Sequence, residues 1–171
     1  GIRVMKHTLR LTLAAACAVL AAAPALAQTG ALRTERTLTL ELASQIATST
    51  VAACQAKGYA VSAAVVDRAG NLRVLLRADN AGPHTIESAR QKAFTSASAR
   101  NNTQAMMEGA QKNPGAANLV HLPGFLLLGG GVPVRAGDEV VGAVGVGGAP
   151  GGHLDEQCAV AALDAVKDQL K

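Results

Sequence analysis

The sequence predicts an α/β (α+β) domain: a mainly antiparallel sheet with helices packed against it. Three observations carry this. Two apolar runs flank the turn-forming Arg68-Ala69-Gly70-Asn71, as in a β-hairpin. Strand-like runs recur near the C-terminal end, separated by short glycine turns. Helix-like segments lie before, between and after these strands, which suits helices laid on an antiparallel sheet.

Each element has its own signal. From Thr37 to Gly58 the chain reads TLTLELASQIATSTVAACQAKG. Thr39 suits an N-cap, Glu41 the first turn, and Gly58 the C-terminal stop. The hairpin follows. Val61, Ala63 and Val65 alternate into Asp67; beyond the turn Arg73, Leu75 and Arg77 share one face and Leu72, Val74 and Leu76 the other. Pro83-His84 opens a helix whose packing face carries Ile86, Ala89, Ala93 and Phe94, with Arg90 and Lys92 off that face. Thr103 suits the cap of a short helix carrying Met106, Met107 and Glu108, which Asn113-Pro114-Gly115 ends. Phe125 to Leu128 reads as an apolar strand, and Gly129 to Gly131 as a turn or bulge. Pro133 places Val132 to Val134 at a sheet edge or bulge, because proline cannot donate to a ladder. Glu139 to Val146 is the last strand, and Leu154 to Leu170 the last helix, with Asp155 and Glu156 at its positive end.

The first 27 residues read as a signal peptide with a few residues upstream. Lys6 and Arg10 precede an apolar run, and Ala25-Leu26-Ala27 has the small-x-small cleavage pattern. The expected mature chain starts at Gln28, with a flexible stretch to residue 36 and one domain over 37–171. It is therefore expected outside the cytoplasm, periplasmic or extracellular. The leader holds Arg3, Lys6 and Arg10 and no acid, so the mature chain is close to neutral although the whole chain carries +4. With no basic block and only Tyr59, Phe94 and Phe125 as aromatics, nucleic-acid binding is not expected.

Cys54 and Cys158 both fall on expected helices. Buried thiols acting as small apolar groups are the first expectation, and a disulfide in an oxidising compartment is the alternative.

The glycine-rich GAVGVGGAPGGHLDE at 142–156 invites a nucleotide reading, which spacing rejects. Pro150 stands three residues after Gly147, where G-x-G-x-x-G needs glycine, and His153-Leu154 replace the Lys-Ser/Thr of a P-loop. What remains is a turn feeding a helix start. Gly151 and Gly152 could hold a carboxylate there, or Asp155 and Glu156 could already satisfy that end. His84, His121 and His153 lack zinc-site spacing. His84 at a helix start, near Arg77, Asp79, Arg90 and Lys92, could be an axial haem ligand with cations for the propionates, or a plain surface histidine. Met106 and Met107 could also ligate iron, but read first as gap-fillers. Asp67 and Asp79, with Glu87 nearby, could be paired carboxylates for acid–base work or metal binding, but read first as turn caps.

VSAAVVDRAGNLRVLLRADNAGPHTIESARQKAFTSA and LLLGGGVPVRAGDEVVGAVGVGGAPGGHLDEQCAVAAL together resemble the GlcG/HbpS-like, haem-degrading (DUF336) domain. The resemblance spans residues 37–170. It implies a profilin-like α/β (α+β) fold, with a five-stranded, mainly antiparallel sheet and helices on both faces. It also implies homo-oligomers, dimers that assemble up to octamers. Exported members of that family bind haem and can serve haem or iron sensing beside a membrane sensor kinase. Cytoplasmic relatives accompany glycolate or diol metabolism, and one related domain is fused to a corrinoid adenosyltransferase. The family's helix motif falls on Ala89, Lys92, Ala93 and Thr95, its glycine strand on Gly142 to Gly148, and its acid on Asp155. The usual serine of the strand end is absent, since Gly147-Gly148 follow Val146 directly.

The functional expectation is an exported haem-binding protein in haem or iron handling or redox sensing. His84 is the candidate axial ligand. Arg77, Arg90, Lys92, Thr95, Gly151 and Gly152 are the candidate cofactor contacts. The alternatives are an enzyme or accessory protein acting on a small carboxylate or tetrapyrrole, or a ligand-free partner of a sensor.

Overall fold

The computed structural model of the chain describes residues 31–171, so the expected signal peptide lies outside the described residues. Glu35–Lys171 form one compact unit. Its elements are α1 (Leu40–Gln55), β1 (Ser62–Asp67), β2 (Leu72–Arg77), α2 (His84–Ala99), α3 (Thr103–Lys112), a 3-10 turn at Pro114–His121, β3 (Gly131–Ala136), β4 (Glu139–Gly147), α4 (Gly152–Val166) and a final 3-10 turn at Lys167–Gln169.

Local chemistry explains most boundaries. The Thr39 hydroxyl accepts from the Leu42 N–H and caps α1, and the chain leaves that helix through Gly58 at φ +80°. In the hairpin, Asp67 Oδ1 accepts from the Ala69 and Asn71 N–H groups and holds the turn. The N-cap position of α3 is Asn102, one residue earlier than expected, and its side chain makes no capping hydrogen bond there. Thr103 is instead buried and used in the core.

The strands form one antiparallel sheet in the order β2-β1-β4-β3. Pro133 does sit on an edge strand. α1 and α4 cover one face, around Ile46, Val61, Val65, Val144, Val146 and Val166. α2 covers the other, through Ala89, Ala93 and Ala97 against Ala64, Val66 and Ala143.

The described residues hold four strands, not five. Phe125 to Leu128 is not a strand, because its backbone is satisfied by side chains instead of a neighbouring ladder. The Leu126 N–H donates to Thr95 Oγ1, and the Leu128 carbonyl accepts from Thr103 Oγ1. Phe125 meets Phe94 edge to face at 6.2 Å.

The glycines of β4 let α2 lie almost on the sheet backbone. A Cβ at Gly145 would fall 2.1 Å from the Ala89 carbonyl oxygen and 2.4 Å from the Ala93 nitrogen. Both are helix backbone, which cannot give way locally. Gly145→Ala is therefore expected to destabilise by about 3 kcal/mol through overpacking, read as a lowered urea midpoint in equilibrium unfolding.

The cysteine expectation is corrected. Cys54 and Cys158 form a disulfide joining α1 to α4, with Cα atoms 5.3 Å apart. Both residues are fully buried. The fold brings the two helices together on one face, at a separation within disulfide reach.

Candidate functional site

Three residues of α2, His84, Ser88 and Lys92, lie four apart and so share one helical face. That face borders a cleft of about 280 Å³, closed by Leu128, the Gly147–Gly152 loop and Asp155. The cleft thus sits where the C-terminal end of β4, the start of α2 and the start of α4 converge. Gly148 turns the chain out of β4 at φ +130°, a conformation that suits glycine, with the Ala60 carbonyl oxygen directly behind it.

The floor is a buried ion pair. Lys92 Nζ donates to Asp155 Oδ2 at 2.9 Å and to the Val146 carbonyl at 2.8 Å. Asp155 Oδ1 accepts from the Ala149 N–H at 2.9 Å. Lys92 and Asp155 are each 2 % exposed. Together they pin α2, the end of β4, the glycine loop and α4 to one another. Burial pushes the Asp155 carboxyl above its ordinary range, against the pull of the Lys92 ammonium and the Ala149 N–H. Lys92 was expected off the packing face of α2. Among the described residues it is instead the bulkiest fully buried side chain, its charge spent on Asp155.

The mouth is different in character. His84 is exposed, and its ring folds back over Gly82. Among the described residues, no hydrogen bond engages its imidazole. Leu128, 41 % exposed, gives the opening an apolar border. Two buried threonines hold that wall. Thr103 Oγ1 donates to the Leu128 carbonyl and accepts from the Gly131 N–H, while Thr95 Oγ1 accepts from the Leu126 N–H.

His84, Lys92, Gly151 and Gly152 therefore meet at one cleft. Three other expected contacts do not line it. Arg77 donates to the Ala81 carbonyl in the turn before α2. Arg90 turns to Glu87 with hydrogen bonds of 2.9 and 2.6 Å. Thr95 is buried and supports the Leu126 backbone, so it acts on the cleft wall from behind. Asp155, Ser88 and Leu128 complete the site. Asp155 was expected as a charge at a helix start and as the acid of the family motif, not as a partner of Lys92, and no local signal marked Leu128. Among the described residues, no group of three or more His, Cys, Asp or Glu could hold a metal ion.

The family model described as Haem degrading protein HbpS-like matches residues 38–164. The chain belongs to this HbpS-like family. Protein GlcG of Escherichia coli (strain K12) is 35% identical over 115 residues, which cover 67% of this chain and 84% of the relative. A crystal structure of a double mutant of Streptomyces reticuli HbpS is 45% identical, covers 85% of this chain and 98% of its own, and superposes with a TM-score of 0.74. A crystal structure of a PduOC:heme complex is similar in fold, at 22% identity and a TM-score of 0.67, covering 75% of this chain and 94% of that one. The ion pair joins two stretches within the matched span of the HbpS-like chain, the α2 helix and the start of α4. The glycine strand runs between them.

Proposed function

We propose that this protein is an exported haem-binding protein, with haem held at the mouth of the α2–α4 cleft and His84 as its axial ligand. The observation that carries this is the exposed His84 imidazole, without a hydrogen bond among the described residues, at the opening that Leu128 borders. A neutral imidazole nitrogen with no protein partner has a lone pair to give to iron. An apolar leucine beside it suits a flat macrocycle. At about 280 Å³ the cleft is at the small end of ligand sites, so the macrocycle would lie across the mouth and not inside it. The backbone N–H groups of Gly151 and Gly152 at the positive end of α4 would face a carboxylate reaching inward. Arg77 and Arg90 have no part in this arrangement. The HbpS-like membership supports the haem reading. The disulfide supports export, because such bonds persist in oxidising compartments. Haem or iron handling or redox sensing in homo-oligomers beside a membrane sensor is the cellular role this reading implies.

Titration with hemin tests it. A Soret band that shifts and saturates is expected for the wild type, with binding at least tenfold weaker in His84→Ala. An unchanged titration in His84→Ala removes the ligand assignment. The small, partly polar cleft also favours a second reading, a small carboxylate ligand. Stabilisation by hydroxy acids in a thermal-shift screen, with no hemin response, would select it.

A further inference from the structure

The disulfide and the cleft act on the same helix. Cys158 lies one turn after Asp155 on α4, and both are buried. On one side α4 is tied covalently to α1 through Cys54. On the other side Asp155 reaches Lys92 on α2 and the Ala149 N–H of the glycine loop. The start of α4 has little room. A Cβ at Gly152 would fall 2.8 Å from the backbone nitrogen and oxygen of Gly129. A displacement of α4 by about an ångström therefore breaks hydrogen bonds of 2.9 Å at the cleft floor, since such bonds weaken steeply with geometry.

We propose that the Cys54–Cys158 disulfide positions α4 for the cleft, so that the cleft's affinity for its ligand is linked to the oxidation state of this cysteine pair. This rests on the reading of the α2–α4 cleft as the ligand site. The reduction balances with a small dithiol as the partner. One of its thiolates attacks a protein sulfur, its second thiol closes a disulfide, and two electrons and two protons pass to Cys54 and Cys158 as thiols. Cys54 is in the last turn of α1, just before the turn through Gly58. Helix ends open before helix centres, which gives the exchange a route to a buried bond. Linkage is reciprocal: a ligand favouring the oxidised form makes the pair harder to reduce by the same factor.

Two measurements test the linkage. Hemin affinity is compared between the wild type and Cys54→Ala/Cys158→Ala, a variant without thiols in the domain that hemin could attack, with folding checked by circular dichroism. At least tenfold weaker binding is expected, equivalent to about 30 mV in the potential of a two-electron pair. Equal affinity overturns the proposal. Amide hydrogen exchange is measured on ligand-free wild type, oxidised and dithiol-reduced. Exchange at Ala149, Leu154 and Asp155 is expected to rise at least tenfold more than at the β1–β4 ladder amides. A uniform rise, or none, overturns the proposal. If the wild type binds no hemin, the haem reading fails by itself, and the exchange comparison alone decides the linkage.

Discussion

Asp155→Ala is expected to lower folding stability by about 3–5 kcal/mol, because it leaves the Lys92 ammonium buried without its counter-charge. That is a large share of the roughly 5–15 kcal/mol that holds a domain folded. Lys92 is 2 % exposed, so little water reaches it in place of the lost carboxylate. Chemical denaturation gives the number. Lys92→Met/Asp155→Leu removes both charges and keeps apolar volume, so it is expected to recover most of the loss. It restores no acceptor for the Ala149 N–H, however. Exchange at that amide should stay fast in the double variant, which separates the stabilising part of the pair from its hold on the glycine loop. A double variant as unstable as the single one would show that packing, not charge, is the source.

The pair also predicts a pH dependence. Burial raises the Asp155 carboxyl above the ordinary aspartate range in the folded state. The folded protein then binds this proton more readily than the unfolded chain. The contribution of this group to stability is fully present below the ordinary aspartate value and is lost as pH rises through the raised one. Carbon-detected NMR of the side-chain carboxyl is expected to show a midpoint above that of an exposed aspartate. A midpoint at or below it would mean that Lys92 outweighs burial.

Removal of the disulfide is the second large effect. It closes a loop with a sequence separation of 104, for which chain entropy alone gives about 4.7 kcal/mol. Cys54→Ala/Cys158→Ala is expected to lower the melting temperature by about 10 °C or more, on roughly 2–4 °C per kcal/mol for a domain of this size. Calorimetry with and without a reductant checks this. The wild type should fall to the variant's value when reduced, and the variant should not respond.

Much of the fold was legible because it is written locally. Thr39, Asp67 and Gly58 each act on backbone within a few residues, so their roles follow from side-chain chemistry alone. The hairpin's two faces follow from strand alternation, and Pro133 predicted its own edge. The misread segment is instructive. Phe125-Leu126-Leu127-Leu128 has the composition of a strand, yet two threonine hydroxyls more than 20 residues away take the hydrogen bonds a ladder would have made. The cleft was half legible for the same reason. His84 and Gly151-Gly152 could be named from helix starts. Arg77 and Arg90, chosen for proximity in sequence, found nearer partners in Ala81 and Glu87.

The sequence by itself determined the α+β class, the turns and caps, and the family motifs along α2, β4 and the start of α4. Those depend on periodicity and on contacts within a turn or two. Only the tertiary structure decided that Lys92 turns inward to Asp155, 63 residues on, and that Cys54 meets Cys158. Nothing local favours burying a lysine, which would otherwise stay in water. It becomes favourable only when a folded sheet of glycines brings a carboxylate and a carbonyl to the same point.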